Sequence, residues 1–194
     1  MLVNEIFYSL QGEGHWTGTA MIFVRLAGCN LSCLFCDTMH HTGTEMSSFE
    51  ILEKTLEYPS LKVCITGGEP CMQDLSELVG VLKLSGLEVH LETNGTIYQK
   101  CLPEFTWITV SPKCAPGGEI AKGILKVASE LKIVISEPRD LKFAIAFYHP
   151  NLKAKFFVQP ESTLKKATDY CIEFCKANPI WRLSLQTQKF CEMP

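Results

Sequence analysis

The chain has 194 residues, a formal charge of −3, 46% hydrophobic residues and 20% charged residues. An apolar content this high with so little net charge excludes an intrinsically disordered chain, and a chain of this length can bury a sizeable core. No apolar run reaches the roughly 18 residues that a membrane helix needs, so the sequence predicts no membrane span.

The start of the sequence carries no targeting pattern. Residues 1–5 contain no basic stretch followed by an apolar one, which predicts that there is no signal peptide and that the protein is cytoplasmic. The 18 basic and 21 acidic side chains argue against a nucleic-acid partner, because a nucleic-acid backbone requires a basic surface. We expect one domain over residues 1–194, with neither a membrane nor a nucleic acid as partner.

Short apolar runs alternate with helical patterns along the chain. In chain order, the predicted elements are a strand over 21–26, a helix over 47–58, a strand over 61–65, a helix over 74–84, strands over 87–91, 107–110 and 131–135, a helix over 140–148, a strand over 155–158, a helix over 162–177 and a strand over 182–185. Ser47 and Glu50 form a capping-box pair at the start of the first helix, and Gly86 can close the second.

This alternation predicts the fold class. Apolar strands separated by helices build βαβ units, so we expect an α/β fold with mostly parallel strands. About six such units are too few for a closed eight-fold barrel. We therefore predict a partial (β/α)6-like open barrel, a modified TIM barrel, and keep a doubly wound sheet as the alternative.

Polar or glycine-rich turns follow five of the predicted strands. These turns are a cysteine-containing loop after residue 26 and the segments 66–70, 92–96, 111–113 and 159–160. Because the C-terminal ends of parallel strands lie on one face of such folds, and ligands bind there, we expect the five turns to meet at one site.

Three of the ten cysteines, Cys29, Cys33 and Cys36, fall within one short loop. Three thiolates can hold three irons of a [4Fe–4S] cluster, whereas an ordinary electron-transfer cluster has four protein ligands. The fourth iron would then be open to a small molecule. Two alternatives remain from the residues alone: a zinc site completed by His40 or His41, and three packed core cysteines.

The other cysteines give a different picture. Cys171 and Cys175 lie on the apolar stripe of a predicted helix, and Cys64 lies within an apolar strand, so we expect all three in the core. The pattern assigns no role to four further cysteines: Cys71, Cys101, Cys114 and Cys191.

Several motifs resemble a known family. The spacing of Cys29, Cys33 and Cys36 is similar to the cluster loop of radical S-adenosylmethionine (SAM) enzymes, and the segment TGGEP at 66–70 resembles their SAM-binding segment. The match extends over the whole chain to the 7-carboxy-7-deazaguanine synthase family. It rests on the segments SLQGEG at 9–14, FVR at 23–25, the cysteine loop through CDT at 36–38, ETNG at 92–95, SPK at 111–113 and RLSLQT at 182–187.

The resemblance implies a fold and a reaction. The fold is a shortened (β/α) barrel. The reaction is a radical ring contraction of 6-carboxy-5,6,7,8-tetrahydropterin to 7-carboxy-7-deazaguanine with loss of ammonia, on the route to queuosine and other 7-deazapurines. It implies a [4Fe–4S] cluster, SAM as a regenerated cofactor, Mg²⁺, an unidentified electron donor and a homodimer.

The resemblance also implies residue roles, with no catalytic side chain because the cofactors carry the radical chemistry. The cluster ligands are Cys29, Cys33 and Cys36, and Thr38 is the Mg²⁺ ligand. The cofactor contacts are Phe35, Asp37, Gly67, Gly68, Glu69, Gly95, Ser111, Pro112, Lys113 and Gln159, with Glu69 as an acceptor for the SAM amino group. The substrate contacts are Leu10, Gln11, Gly12, Glu13, Arg25, Thr93 and Pro194.

Several of these residues could instead have a purely structural role. Arg25 has the planar fork that suits a carboxylate, but it can equally form a surface salt bridge. Lys113 can be solvent-exposed, Thr38 can cap a turn, and 66–70 can be a plain turn. Gln188 stands where many relatives have His, so a contact from the C-terminal tail differs from theirs.

Two other functions compete. A glycyl-radical activating enzyme also uses three cysteines with SAM, but it acts on a protein and needs no pterin pocket. A non-enzymatic zinc or iron–sulfur module would not explain polar turns after several strands.

Overall fold

The computed structural model describes residues 1–34, 36 and 38–193. Its strands are β1 (Leu2–Leu10), β2 (Ala20–Leu26), β3 (Thr44–Glu45), β4 (Lys62–Gly67), β5 (Glu88–Thr93), β6 (Trp107–Val110), β7 (Glu130–Ile135), β8 (Lys155–Pro160) and β9 (Trp181–Leu183). Its α-helices are α1 (Ser48–Leu56), α2 (Ser76–Leu84), α3 (Ile124–Val127), α4 (Pro138–Ala146), α5 (Lys165–Ala177) and α6 (Thr187–Phe190). Short 3₁₀ turns cover Gly14–Trp16, Pro70–Met72 and Leu102–Glu104.

All nine strands belong to one sheet, in the order β3-β1-β2-β4-β5-β6-β7-β8-β9. From β2 to β9 every neighbouring pair is parallel, whereas β1 runs antiparallel to both β2 and β3. The order follows the chain without the reversal that defines a doubly wound sheet. Since β3 and β9 do not pair with each other in the described part of the chain, the sheet is open, and the predicted partial barrel is confirmed.

The predicted elements agree with the structure to within a few residues. The capping box is present, because Ser47 Oγ accepts a hydrogen bond from Glu50 N at 3.2 Å and Glu50 Oε2 accepts one from Ser47 N at 2.7 Å. Helix α2 begins two residues later than predicted, with Leu75 at its N-cap position. Asp74 Oδ1 accepts a hydrogen bond from Ser76 N in the turn that precedes the helix. The sequence analysis missed β1, β3, α3 and α6.

The helices pack on the outer face of the sheet and bury its apolar side chains. Helix α2 contributes Leu78, Val79 and Leu82, each fully buried. Cys64 and Cys171 are buried as predicted, in two different core clusters, and the half-buried Cys175 packs against the cluster that contains Cys171. All ten cysteines are free thiols. No helix among residues 1–34, 36 and 38–193 is both long enough and apolar enough to cross a membrane.

Aromatic rings close the inside of the barrel near the N-terminal ends of its strands. The His15 ring stacks on Trp107 with centroids 4.9 Å apart, and Trp16 lies edge-on to His90 at 5.2 Å. His90 is 3% exposed, and its Nε2 atom has no hydrogen-bond partner. Burial lowers the pKa of His90 to about 4, so this imidazole is neutral in the folded protein at neutral pH.

We predict that His90 makes folding sensitive to acid. Its pKa rises from about 4 when folded to about 6.5 when unfolded, so the unfolded chain binds the proton more readily. The free energy of unfolding therefore falls as the pH drops from about 6.5 to about 4, by roughly 3 kcal/mol from this group. Urea titrations across this range should show that His90→Phe loses this part of the decrease. The exposed His149 provides the control His149→Phe, which should follow the wild type; parallel curves for wild type and His90→Phe would contradict the prediction.

Candidate active site

A cavity of about 720 Å³ opens at the C-terminal ends of the parallel strands. All five polar turns that follow predicted strands contribute to its wall, as expected. The predicted site residues that line it are Leu10, Gln11, Gly12, Glu13, Arg25, Cys29, Cys33, Cys36, Thr38, Gly67, Gly68, Thr93, Ser111, Lys113 and Gln159.

The cysteine loop rests directly on the turn after β4. Glu69 N donates a hydrogen bond to Gly28 O at 2.9 Å, and Gly68 N donates one to Leu26 O at 3.2 Å. A Cβ atom on Gly68 would lie 2.1 Å from Gly28 O, and one on Gly67 would lie 2.1 Å from Leu26 O. Only glycine allows this approach, so the two glycines serve to bring the cysteines and the turn together.

The three thiols share the wall of the cavity and interact electrostatically with one another. Burial raises the pKa of Cys29 and Cys33, whereas the Lys113 ammonium acts on both in the opposite direction. In the described part of the chain, no three His, Cys, Asp or Glu side chains converge on one metal position, and this includes His40 and His41. A [4Fe–4S] cluster binds each cysteine through a different iron, so three cysteines in one loop fit a cluster that leaves one iron open.

The structure adds a supporting role for Glu69. Its carboxylate does not line the cavity but is fully buried beneath it. It accepts hydrogen bonds from Thr93 Oγ1 at 2.7 Å, Asn94 N at 2.6 Å and Cys71 N at 2.9 Å. The side chain therefore ties the turn after β4 to the end of β5. Its contact with the SAM amino group stays a prediction.

Two further predicted cofactor contacts lie outside the cavity wall. Gly95 has a φ of +82°, and a Cβ atom there would lie 2.7 Å from Val110, so this glycine allows the loop after β5 to pack behind the wall. Pro112 does not line the cavity, although its neighbours Ser111 and Lys113 do. Phe35, Asp37 and Pro194, for which the sequence analysis predicts ligand contacts, lie outside the described residues.

Lys113 is held inside the site. Its Nζ atom donates hydrogen bonds to Ser111 O at 2.8 Å and to Ser111 Oγ at 2.5 Å. Burial lowers the pKa of this ammonium. The solvent-exposed alternative for Lys113 is therefore wrong. Gln159 is also buried, and its Oε1 accepts a hydrogen bond from Ser184 Oγ at 2.8 Å.

Arg25 combines its two predicted environments. Its Nε atom pairs with Glu5 Oε1 at 2.6 Å, and its guanidinium lies 5.3 Å from the centre of the Phe7 ring. The same side chain lines the cavity. The salt bridge uses Nε, and within the described part of the chain the two terminal nitrogens of the guanidinium make no hydrogen bond, so they can serve a ligand carboxylate.

Residues 186–188, near the C-terminus, form hydrogen bonds with the loop after β1. Thr187 donates to Gly12 O from its backbone N at 3.0 Å and from its hydroxyl at 2.8 Å. Glu13 Oε1 accepts hydrogen bonds from the side-chain amides of Gln186 at 2.9 Å and Gln188 at 3.0 Å. The end of the chain thus completes the wall of the cavity.

Sequence reasoning assigned no role to two charged side chains of the site, Lys132 and Glu92. Glu92 lies near the end of β5, in a motif that the sequence analysis had noted, whereas Lys132 lies within β7 between Leu131 and Ile133. A charge in the middle of a buried strand is the signal that could have found Lys132, because such a charge requires a partner inside the protein.

Comparison with known proteins agrees with this geometry. The model of the radical SAM superfamily matches residues 23–110. The chain is 42% identical to 7-carboxy-7-deazaguanine synthase of Bacteroides thetaiotaomicron, covering 98% of this chain and 97% of that protein. It is 38% identical to 7-carboxy-7-deazaguanine synthase of Escherichia coli, covering 97% and 96%.

A solved structure gives the same result. The crystal structure of QueE from Escherichia coli superimposes with a TM-score of 0.82 at 35% identity, covering 95% of this chain and 92% of that one. Identity above 30% over nearly the full length of both chains, together with the site described above, places the protein in a family: it belongs to the 7-carboxy-7-deazaguanine synthases of the radical SAM superfamily.

Proposed function

We propose that the protein converts 6-carboxy-5,6,7,8-tetrahydropterin to 7-carboxy-7-deazaguanine and ammonia. The observation that carries the proposal is the single cavity shared by the three cysteines, the diglycine turn and a separate polar wall formed by Arg25 and the loop after β1. A glycyl-radical activating enzyme would need no such wall, and the relatives in the family carry the name of the pterin reaction's product.

The cysteine side of the cavity is assigned to the cofactors. Cys29, Cys33 and Cys36 would hold a [4Fe–4S] cluster through three irons. Gly67 and Gly68, which line the same cavity, would contact SAM beside it. When bound, the cluster and SAM supply the radical chemistry of the ring contraction. The protein's own contribution is to position both groups and to limit the access of water.

The polar side of the cavity is assigned to the substrate. Arg25 offers a guanidinium to the substrate carboxylate, a pairing that is charge-assisted and can be bidentate. Glu13, with Gln11 and Gly12, faces the amino-pyrimidinone edge, whose N–H groups match a carboxylate acceptor. Thr93 and Leu10 complete this wall.

Three further assignments extend the proposal. Thr38 lines the cavity and would bind Mg²⁺ through its hydroxyl, together with water and substrate oxygens, as Mg²⁺ commonly does. The resemblance to the family supports a homodimer and an external electron donor. The product would be an intermediate on the route to queuosine and related 7-deazapurines.

Anaerobic reconstitution tests the proposed function. Iron, sulfide, SAM, a strong reductant, Mg²⁺ and 6-carboxy-5,6,7,8-tetrahydropterin are supplied, and product is detected by mass spectrometry. We expect a mass decrease corresponding to ammonia, with SAM recovered unchanged over many turnovers. Absence of product from a protein with a full cluster would refute the proposal.

We predict that Cys33→Ala abolishes the cluster. Two thiolates cannot hold the cluster at three irons, so iron content and the brown absorbance should both fall to background. Cys175→Ala is the matched control, because this thiol lies on α5 and packs against the core. The control should keep about four irons per chain. A normal cluster in Cys33→Ala would remove this residue from the ligand set.

We predict that Arg25→Ala uncouples SAM cleavage from pterin turnover. Loss of a charge-assisted contact should raise KM for the pterin by about 10–100-fold, while slow cleavage of SAM without substrate continues. Arg182→Ala is the control, since Arg182 also lies against an aromatic ring, Phe157 at 5.2 Å, but outside the cavity. A wild-type KM in Arg25→Ala would show that another group binds the carboxylate.

A further inference from the structure

A buried ammonium lies in the wall of the cavity next to Glu13. Lys132 is on β7, with its side chain 5% exposed, and its Nζ atom forms an ion pair with Glu13 Oε2. A second carboxylate, Glu92 Oε1, lies 3.9 Å from the same Nζ atom. Neither the family resemblance nor the comparisons assign Lys132 a role.

Burying the Lys132 ammonium is unfavourable for stability, which indicates that its charge has a function. An ammonium taken out of water needs close anionic partners, and an ion pair of this kind is rarely better for stability than a packed apolar pair. Lys132 could have been an apolar side chain like its neighbours Leu131 and Ile133. Its place in the wall of the cavity indicates that its charge serves the ligand and not the core.

We propose that Lys132 is a positioning residue that keeps Glu13 ionised and oriented toward the amino-pyrimidinone edge of the substrate. This inference rests on the proposed function, and it deepens that function by naming what determines recognition of the ring. Lys132 acts through Glu13 and needs no contact with the substrate.

The hydrogen bonds of Glu13 support this role. A carboxylate has about four acceptor positions. The amides of Gln186 and Gln188 both donate to Oε1, and the Lys132 ammonium donates to Oε2. One acceptor position therefore remains on Oε2 for a ligand N–H group.

Gln188 helps to hold Glu13 in place. Its amide nitrogen donates to Glu13 Oε1 at 3.0 Å, and its amide oxygen is buried against the backbone of Gly12, where an added Cβ atom would lie 1.9 Å away. The side chain therefore connects the Glu13 carboxylate to the loop after β1 and leaves Oε2 as the oxygen that faces Lys132.

The surrounding charges explain why Glu13 depends on Lys132. Burial raises the pKa of Glu13, but Lys132 and the two amides outweigh this and hold it at about 2. The titratable groups that interact with this pair are Glu92, Glu130, Lys113 and Cys64. Glu92 and Glu130 are carboxylates, so removal of the Lys132 charge leaves Glu13 buried among like charges, where protonation is favoured.

The test uses the reconstituted enzyme and measures KM for the pterin as a function of pH. We expect Lys132→Met to raise KM by roughly tenfold or more, and to make KM increase further as the pH falls from about 8 to about 6, because protonated Glu13 is a poorer acceptor. The wild type should show no such increase from this group. Lys132→Arg, which retains a cation, should restore a flat profile, and Lys132→Gln, a polar neutral variant, carries the test if Lys132→Met does not fold.

A double variant separates an indirect role from a direct one. If Lys132 acts through Glu13, then Lys132→Met should add little to KM in a Glu13→Gln background. The control is Lys62→Met, which removes another cation paired with a carboxylate, Glu88, at the other end of the barrel. It should leave KM and its pH profile unchanged.

The outcomes are distinct. If the wild type forms no product, the proposed function is wrong. If the wild type is active and the neutral variants keep a flat, low KM, the positioning role of Lys132 is wrong. Full additivity of Lys132→Met and Glu13→Gln would also overturn it, because two independent contacts would then be acting.

Discussion

The site depends on the contact between the cysteine loop and the diglycine turn. Backbone atoms of 26–28 and 67–69 approach so closely that no side chain fits between them. This contact joins the end of β2 to the end of its parallel neighbour β4. Without this contact, the three thiols and the glycines of the turn after β4 would not line the same cavity.

Glu69 reinforces this arrangement from below. Its carboxylate accepts hydrogen bonds from Cys71, Thr93 and Asn94, and so it links the end of β4 to the end of β5. Burial raises its pKa, and the hydrogen bonds oppose that rise. The motif that resembles a cofactor-binding segment therefore contributes its glycines to the surface of the cavity and its acidic side chain to the support beneath.

The inside of the barrel is divided along its length. Aromatic rings fill the end where the strands begin, around His90 and Trp107. A layer of charged groups, with Lys132 and its carboxylate partners, follows toward the other end. An open barrel of parallel strands permits this division, because alternate residues of each strand point inward at successive depths.

Much of the site was predictable from local patterns. A strand followed by a polar turn indicates a ligand-binding edge of a parallel sheet, regardless of which strands lie beside it. Three parts were not predictable in this way. Strand β1 alternates weakly and gains its stability from antiparallel pairing with β2, so its own residues give little sign of it. Gly95 and Glu69 belong to motifs of the right kind, but packing directs them away from the cavity.

The sequence by itself determined the class of fold, the cysteine loop, the glycine turn and the family, because these depend on residue type and spacing along the chain. Only the tertiary structure decided which side chains face the cavity and which support it. It also joined Lys132 and the C-terminal glutamines to Glu13, 119 residues and more than 170 residues away along the chain. The physical reason is that the partner of a buried charge is chosen by packing in three dimensions, and nothing in the local pattern of either segment specifies the other.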